Sequence, residues 1–250
     1  MGKHYKSKNR KIVVISIIRI IFFIALIVST IYIIKWYIDS KQNEMIEEKV
    51  LEAIVIENEE SLDEEYKIDF EKLKEPNNQV VAWLRVKGTN IEYPIVQAKD
   101  NNYYLNRNFE KKYNIGGWIF VDYKNKLDGT DKNIVVYGHN IKDNSMFGSL
   151  KNILNEEWYN NEENYVIDFI MENEEQKYQV FSIYKIETED YYINTEFKEN
   201  KFEEFIETLK NRSIKGFDVE VAEEDSILTL STCANNNKYR VVLHAKRIYE

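Results

Sequence analysis

Cys233 is the only cysteine in the 250 residues, and it closes the apolar run Ile227-Leu228-Thr229-Leu230-Ser231-Thr232. The run stops in the polar segment Ala234-Asn235-Asn236-Asn237-Lys238, and a second β-rich run, Tyr239-Arg240-Val241-Val242-Leu243, follows at once. Two such runs around a short polar segment predict a hairpin. Cys233 and Arg240 then stand near the two feet of its loop, a thiol beside a guanidinium. A neighbouring cation favours the thiolate, the nucleophilic form of cysteine. The competing reading is a small buried hydrophobe, because free cysteine is among the most buried side chains.

The histidines are His4, His139 and His244. His4 falls in a segment expected inside the cell, which leaves two for chemistry outside it. His139 follows the apolar run Ile134-Val135-Val136-Tyr137, where a strand runs into a loop. Rigid scaffolds commonly present functional side chains in this way. His244 lies inside the last strand on the face that carries Arg240, so parity does not exclude it, but loop placement favours His139. Cysteine, histidine and arginine suffice for acyl transfer. The thiolate attacks a carbonyl, the imidazolium protonates the departing amine, and the guanidinium hydrogen-bonds the oxyanion. The sequence around His139 offers no unambiguous orienting carboxylate; Asn140 and Asp143 are the nearby polar groups.

These residues need a frame. Period-two patterning predicts strands near 80–86, 90–96, 117–121, 133–138, 165–171, 177–187, 226–233 and 239–248. Turn signals at Lys87-Gly88-Thr89-Asn90, Asp128-Gly129-Thr130 and Asn173-Glu174-Glu175 separate several of them. Helical spacing predicts helices over 145–154 and about 200–212, and a short one over 69–75 that ends at Pro76. Eight strands with helices set between them favour a mainly β domain built as a closed or nearly closed barrel.

The N-terminus is of another kind. Lys3, Lys6, Lys8, Arg10 and Lys11 precede a nearly continuous apolar stretch from Ile12 to Ile34, interrupted by Arg19 and a few hydroxyl residues. That length crosses a bilayer, which takes roughly 20 residues, and Arg19 lies close enough to its basic end to snorkel. No small-x-small cleavage site follows, and Trp36 and Tyr37 suit the outer interface. The expectation is an uncleaved signal anchor in the cell membrane, N-terminus inside and the remainder outside. The chain then divides into a basic tail (1–11), a transmembrane anchor (12–34), a helical stalk with N-terminal helices (35–75) and a catalytic barrel (76–250). The first 35 residues contain no acid, so the exterior part is more acidic than the whole-chain charge of −9. Such a surface excludes nucleic acid as a partner, since phosphates need a basic face. A lone cysteine excludes an intrachain disulfide and a cysteine-based zinc site. No metal or cofactor is expected. The segment Asp122 to Gly129 is only superficially a calcium loop, because Lys124 and Lys126 fill positions that need oxygen ligands.

Three sequence features together resemble the sortases, membrane-anchored cysteine transpeptidases of Gram-positive cell surfaces: Thr229-Leu230-Ser231-Thr232-Cys233, Tyr137-Gly138-His139-Asn140, and Arg240 opening the last strand. The resemblance covers about residues 66–250 and is greatest to class B. Its class B features are Ile91-Glu92-Tyr93-Pro94-Ile95-Val96-Gln97, Asp100-Asn101-Asn102-Tyr103-Tyr104-Leu105, Gly116-Gly117-Trp118-Ile119-Phe120-Val121-Asp122, Met146-Phe147-Gly148-Ser149-Leu150, and the helix near 200–212. It implies an eight-stranded sortase β-barrel with that helix between strands six and seven. It also implies that Cys233 forms the acyl-enzyme, that His139 is acid and base, and that Arg240 stabilises the oxyanion or holds the peptide. Asn101, Leu105, Thr188, Tyr192, Ile193 and Ser231 would line the peptide groove. The implied substrates are a C-terminal sorting signal, an Asn-Pro- or Ser-Pro-type pentapeptide cut after its Thr, and a cell-wall peptidoglycan amine. The alternatives are an extracellular cysteine protease that uses water as acceptor, and a non-catalytic surface-binding barrel.

Overall fold

The computed structural model of the chain describes residues 3–56, 66–198, 201–232 and 238–249. Met1–Gln42 and Asn43–Glu250 form two compact units. Helix α1 (Lys3–Leu51) supplies the first unit and enters the second. It is the one helix among the described residues long and apolar enough to cross a membrane. Its apolar stretch is exposed all round, with Phe22 at 73%. A helix without a polar face is one that lipid or a protein core must cover.

The second unit begins at Asn43 and so includes, beside the barrel, part of the region before residue 76. Ile46, Val50, Ala53, Ile68, Phe70 and Leu73 belong to the same buried cluster as the barrel interior. Within the region expected to be a helical stalk (35–75), α1 ends at Leu51. The β-branched run Ile54–Ile56 forms strand β1, paired antiparallel with β2 (Tyr66–Ile68). Helix α2 (Phe70–Lys74) starts at Asp69, whose carboxylate accepts the Lys72 N–H at 2.9 Å, and it stops short of Pro76.

Eight strands close the barrel: β3 (Val80–Val86), β4 (Ile91–Val96), β5 (Phe120–Val121), β6 (Asn133–Gly138), β7 (Val166–Met171), β8 (Glu174–Glu187), β9 (Ile227–Thr232) and β10 (Tyr239–Ile248). Their order around it is β10-β8-β7-β3-β4-β5-β6-β9. The β4–β5 and β6–β9 pairs are parallel and the rest antiparallel. Side chains alternate across the wall. Ile134, Val136, Leu228, Leu230, Val241 and Leu243 fill the interior. Ile227 and Val242 point outward, beneath α4 (Phe202–Arg212), which follows the sixth barrel strand. Phe202, Phe205, Ile206 and Leu209 form one stripe on that helix. Each contributes roughly 1.5–3 kcal/mol by leaving water.

Three local expectations need correction. The strand expected over 117–121 is only Phe120–Val121, because Gly117 sits at φ +59° and turns the chain. The turn expected at 173–175 is the two-residue Glu172-Asn173, so β8 starts at Glu174, paired with Met171. The helix expected over 145–154 is a 3-10 turn, Gly148–Leu154. Asn144 and Met146 at φ +68° and +51° cannot begin an α-helix, and the Asp143 carboxylate holds the Ser145 N–H and hydroxyl instead. A four-residue helix, α3 (Glu156–Tyr159), follows that turn and was not expected.

Candidate active site

Parallel pairing of β6 with β9 brings the C-terminal ends of both strands to one rim of the barrel. Gly138 and Thr232 are the last Cα partners, so the next residues along the two chains are His139 and Cys233. Cys233 itself lies outside the described residues. Strand alternation puts His139 on the outward face of β6 with Asn133, Val135 and Tyr137. The same alternation puts Arg240 with Val242 on the outward face of β10. The antiparallel β9–β10 pair is the predicted hairpin: Val242 faces Ser231, and the Val241 N–H donates to Thr232 Oγ1 at 3.0 Å. Arg240 is 6% exposed and pairs with Ile186 of β8.

His139 is 2% exposed. Its Nε2 lies 2.6 Å from the Leu105 carbonyl oxygen. A carbonyl only accepts, so Nε2 carries a proton, and in the neutral ring Nδ1 holds the lone pair. Nδ1 has no hydrogen-bond partner among the described residues. Burial pushes the pKa of the ring down, and the bond to Leu105 partly opposes this. The loop after His139 folds back on it, for the His139 carbonyl accepts the N–H groups of Ile141 (3.1 Å) and Phe147 (3.0 Å). Two glycines make the close packing possible. A Cβ on Gly138 would lie 2.6 Å from the Phe147 ring, and one on Gly117 would lie 2.5 Å from the Tyr104 carbonyl oxygen and 2.9 Å from the His139 ring.

The suggested groove residues fall into two groups. In the first, the half-buried Asn101 accepts the Tyr123 N–H (3.0 Å) and donates to Asp122 Oδ2 (2.8 Å), which also takes the Tyr137 hydroxyl proton (2.9 Å). Leu105 is half-buried and offers its carbonyl to His139. In the second, the hydroxyls of Tyr192 and Ser231 are 2.9 Å apart and both residues are buried. Ile193 packs beside them, and Thr188 is exposed with its N–H on the Lys238 carbonyl. Tyr137 and Ser231 are Cα partners across β6 and β9, which joins the two groups at one rim.

A family model described as "Sortase domain" matches residues 84–248. The chain belongs to the sortase family. Sortase B of Staphylococcus aureus (strain NCTC 8325 / PS 47) is 33% identical over 241 residues, covering 94% of this chain and 96% of the relative. The solved S. aureus sortase B–substrate complex is 37% identical with a TM-score of 0.68, covering 72% of this chain and 84% of the other. Sortase B from B. anthracis in complex with AAEK1 is 34% identical with a TM-score of 0.73, covering 86% and 100%. This sortase is a cysteine transpeptidase of the class B kind, an enzyme type that anchors surface proteins to the cell wall.

Sequence reasoning missed what orients the sortase imidazole. Among the described residues the ring bonds to the Leu105 backbone, and Asp143 is engaged with Ser145. A main-chain carbonyl leaves no mark in residue types. Also unforeseen was Asp122, buried and shared between Asn101 and Tyr137. The sequence could have suggested it only as a carboxylate next to an apolar strand.

His244 is fully buried, with Nδ1 2.9 Å from Thr229 Oγ1 and Nε2 2.8 Å from the Tyr184 hydroxyl. Burial, and then the Arg212 charge, hold its pKa down to about 3.

A second titratable group supports the His139 loop from below. Glu47 of α1 lies against Tyr93, whose hydroxyl accepts the Met146 N–H at 3.1 Å. Burial raises Glu47 to about 7; Tyr93 opposes this, and Asp143 and Glu44 add to it. A carboxyl that binds its proton more tightly when folded stabilises the fold fully below its ordinary value of 4.5. That contribution is lost as pH rises through about 7. Thermal unfolding of the detergent-solubilised chain should therefore show stability falling between about pH 4.5 and 7 from this source. Glu47→Gln, which stays neutral, should flatten that slope. An unchanged slope in the variant would place the proton uptake elsewhere.

Proposed function

We propose that Cys233 is the nucleophile of this sortase, His139 its acid and base through Nδ1, and Arg240 the group that stabilises the oxyanion. The observation that carries this reading is the imidazole beside the Gly138–Thr232 pair. Its Nε2 is committed to Leu105 and its buried Nδ1 is free of any described partner. The Cys233 thiol gives its proton to His139 Nδ1, and the resulting thiolate adds to the carbonyl carbon of the Thr in the sorting signal, an Asn-Pro- or Ser-Pro-type pentapeptide, while the carbonyl π electrons move to oxygen beside the Arg240 guanidinium. Collapse of this adduct breaks the C–N bond, and the leaving amine takes the proton from Nδ1. The thioester is then attacked by a peptidoglycan amine, which gives its proton to Nδ1 and expels the thiolate. Asn101, Leu105, Thr188, Tyr192, Ile193 and Ser231 line the path of the peptide on either side of this rim.

The test is a fluorescent sorting peptide incubated with and without a cell-wall amine. Product ligated to the amine, with the thioester trapped when the amine is withheld, is expected. Hydrolysis alone at saturating amine would favour a protease.

The same reading places Ile12 to Ile34 across the cell membrane, with the basic tail inside and residues 43–250 outside. The one-sided basic flank supports this orientation. Protease added to intact protoplasts should digest the barrel and leave the N-terminal tail. A barrel protected until lysis would reverse the orientation.

A further inference from the structure

We propose that His244 is a positioning residue for the peptide-binding turn at 191–193, acting as the neutral link of a one-way hydrogen-bond chain that starts and ends on that turn. The role in peptide binding rests on the reading above that Tyr192 and Ile193 line the groove; the chain itself does not.

Every direction in the chain follows from its far end. Asn133 Nδ2 lies 2.8 Å from the Asn194 carbonyl oxygen and 3.4 Å from that of Tyr192. Carbonyls only accept, so the nitrogen of the amide faces the turn and Oδ1 faces Thr229, 2.6 Å away. The single Thr229 hydroxyl proton is therefore spent on Asn133. Its oxygen has only lone pairs left for His244, so Nδ1 of that ring carries the proton. A neutral imidazole has one N–H, and Nε2 must then accept the Tyr184 hydroxyl proton. The Arg212 guanidinium, at the end of α4, faces the Tyr184 hydroxyl and partly opposes the effect of burial on it. Arg212 also pairs with Glu189 at 2.5 Å and lies over the Tyr191 ring at 5.3 Å, on the other side of the same turn. Donors that all run one way reinforce each other, and in a dry interior any break leaves a costly orphan. Apart from the buried Tyr192 side chain and its hydroxyl on Ser231, the turn's own main-chain bonds are weak. Its N–H groups at Ile193 and Asn194 make long bonds of 3.4 Å, and Ile193 is half-buried.

The experiment uses the full chain in detergent micelles. Nitrogen-15 NMR of labelled histidine should show His244 as the Nδ1–H tautomer, and an Nε2–H ring or an imidazolium would overturn the proposal. Thr229→Val removes the hydroxyl at nearly constant shape, while Thr229→Ser keeps it. Thr229→Val should speed hydrogen exchange at Ile193 and Asn194 at least tenfold and raise KM for the sorting peptide about tenfold, with kcat within about twofold. Thr229→Ser should restore both. Unchanged exchange in a folded Thr229→Val chain would overturn the positioning role. Tyr192→Ala separates the two readings: if its KM is normal while the tautomer and exchange results hold, the groove assignment fails and the chain stands. Should Thr229→Val not fold, the tautomer in the native chain still decides.

Discussion

Cys233→Ala is expected to abolish cleavage of the sorting peptide and any trapped thioester, and Arg240→Lys to reduce single-turnover acylation by roughly 10²–10³ with peptide binding retained. The two effects belong to one unit. A thiol has an ordinary pKa near ~8.5, so at neutral pH little thiolate exists unless a cation lies beside it. Antiparallel pairing ends β9 at Thr232 and opens β10 near Arg240, so the strand that leads to Cys233 and the one that carries Arg240 are neighbours at one rim. Lysine would keep the charge and lose the planar fork that bonds two acceptors at once. Charge serves the thiolate, whereas the fork serves an oxyanion that exists only after attack. Acylation followed by intact-protein mass spectrometry separates these. Near-normal acylation by Arg240→Lys would mean that charge alone suffices and that the oxyanion is held elsewhere.

His139→Ala should lower kcat by roughly 10²–10⁴, the usual worth of a positioned proton donor, and leave the fold intact. His244→Ala should do the reverse. It leaves the Tyr184 hydroxyl without its acceptor, while Thr229 keeps its proton on Asn133. A buried orphan costs roughly 1–3 kcal/mol, so a fall in Tm of at least roughly 2–4 °C follows for a domain of this size. Turnover per folded molecule should stay near normal, with the change in KM. The difference comes from the partners of each ring. His244 spends both nitrogens on the scaffold, whereas His139 spends one, and its Nδ1 has no partner among the described residues. Loss of kcat in a folded His244→Ala chain would reverse the assignment.

Strands Val80–Val86, Asn133–Gly138 and Tyr239–Ile248 were legible in the sequence as short apolar, β-branched runs between polar or turn segments, which is a local property. So were the stripe of α4 and the apolar helix near the N-terminus, each an uninterrupted local pattern. The cysteine, histidine and arginine proposed for the site were singled out in the sequence for another reason, their place at or next to the ends of strand-like runs. What the tertiary structure alone decided was adjacency and direction. Parallel pairing of β6 with β9 joins residues almost a hundred positions apart, and no local pattern specifies it. The partner that orients His139 is a main-chain oxygen on a separate loop, and every residue type carries one. The loop from His139 to Gly148 follows its own side-chain bonds and left-handed residues against its helical spacing, because the chain must turn back within a few residues to cover Gly138. Loop placement already favoured His139 over His244 in the sequence; the packed interior supplies the reason, since both nitrogens of His244 are bonded to the scaffold while Nδ1 of His139 has no partner among the described residues.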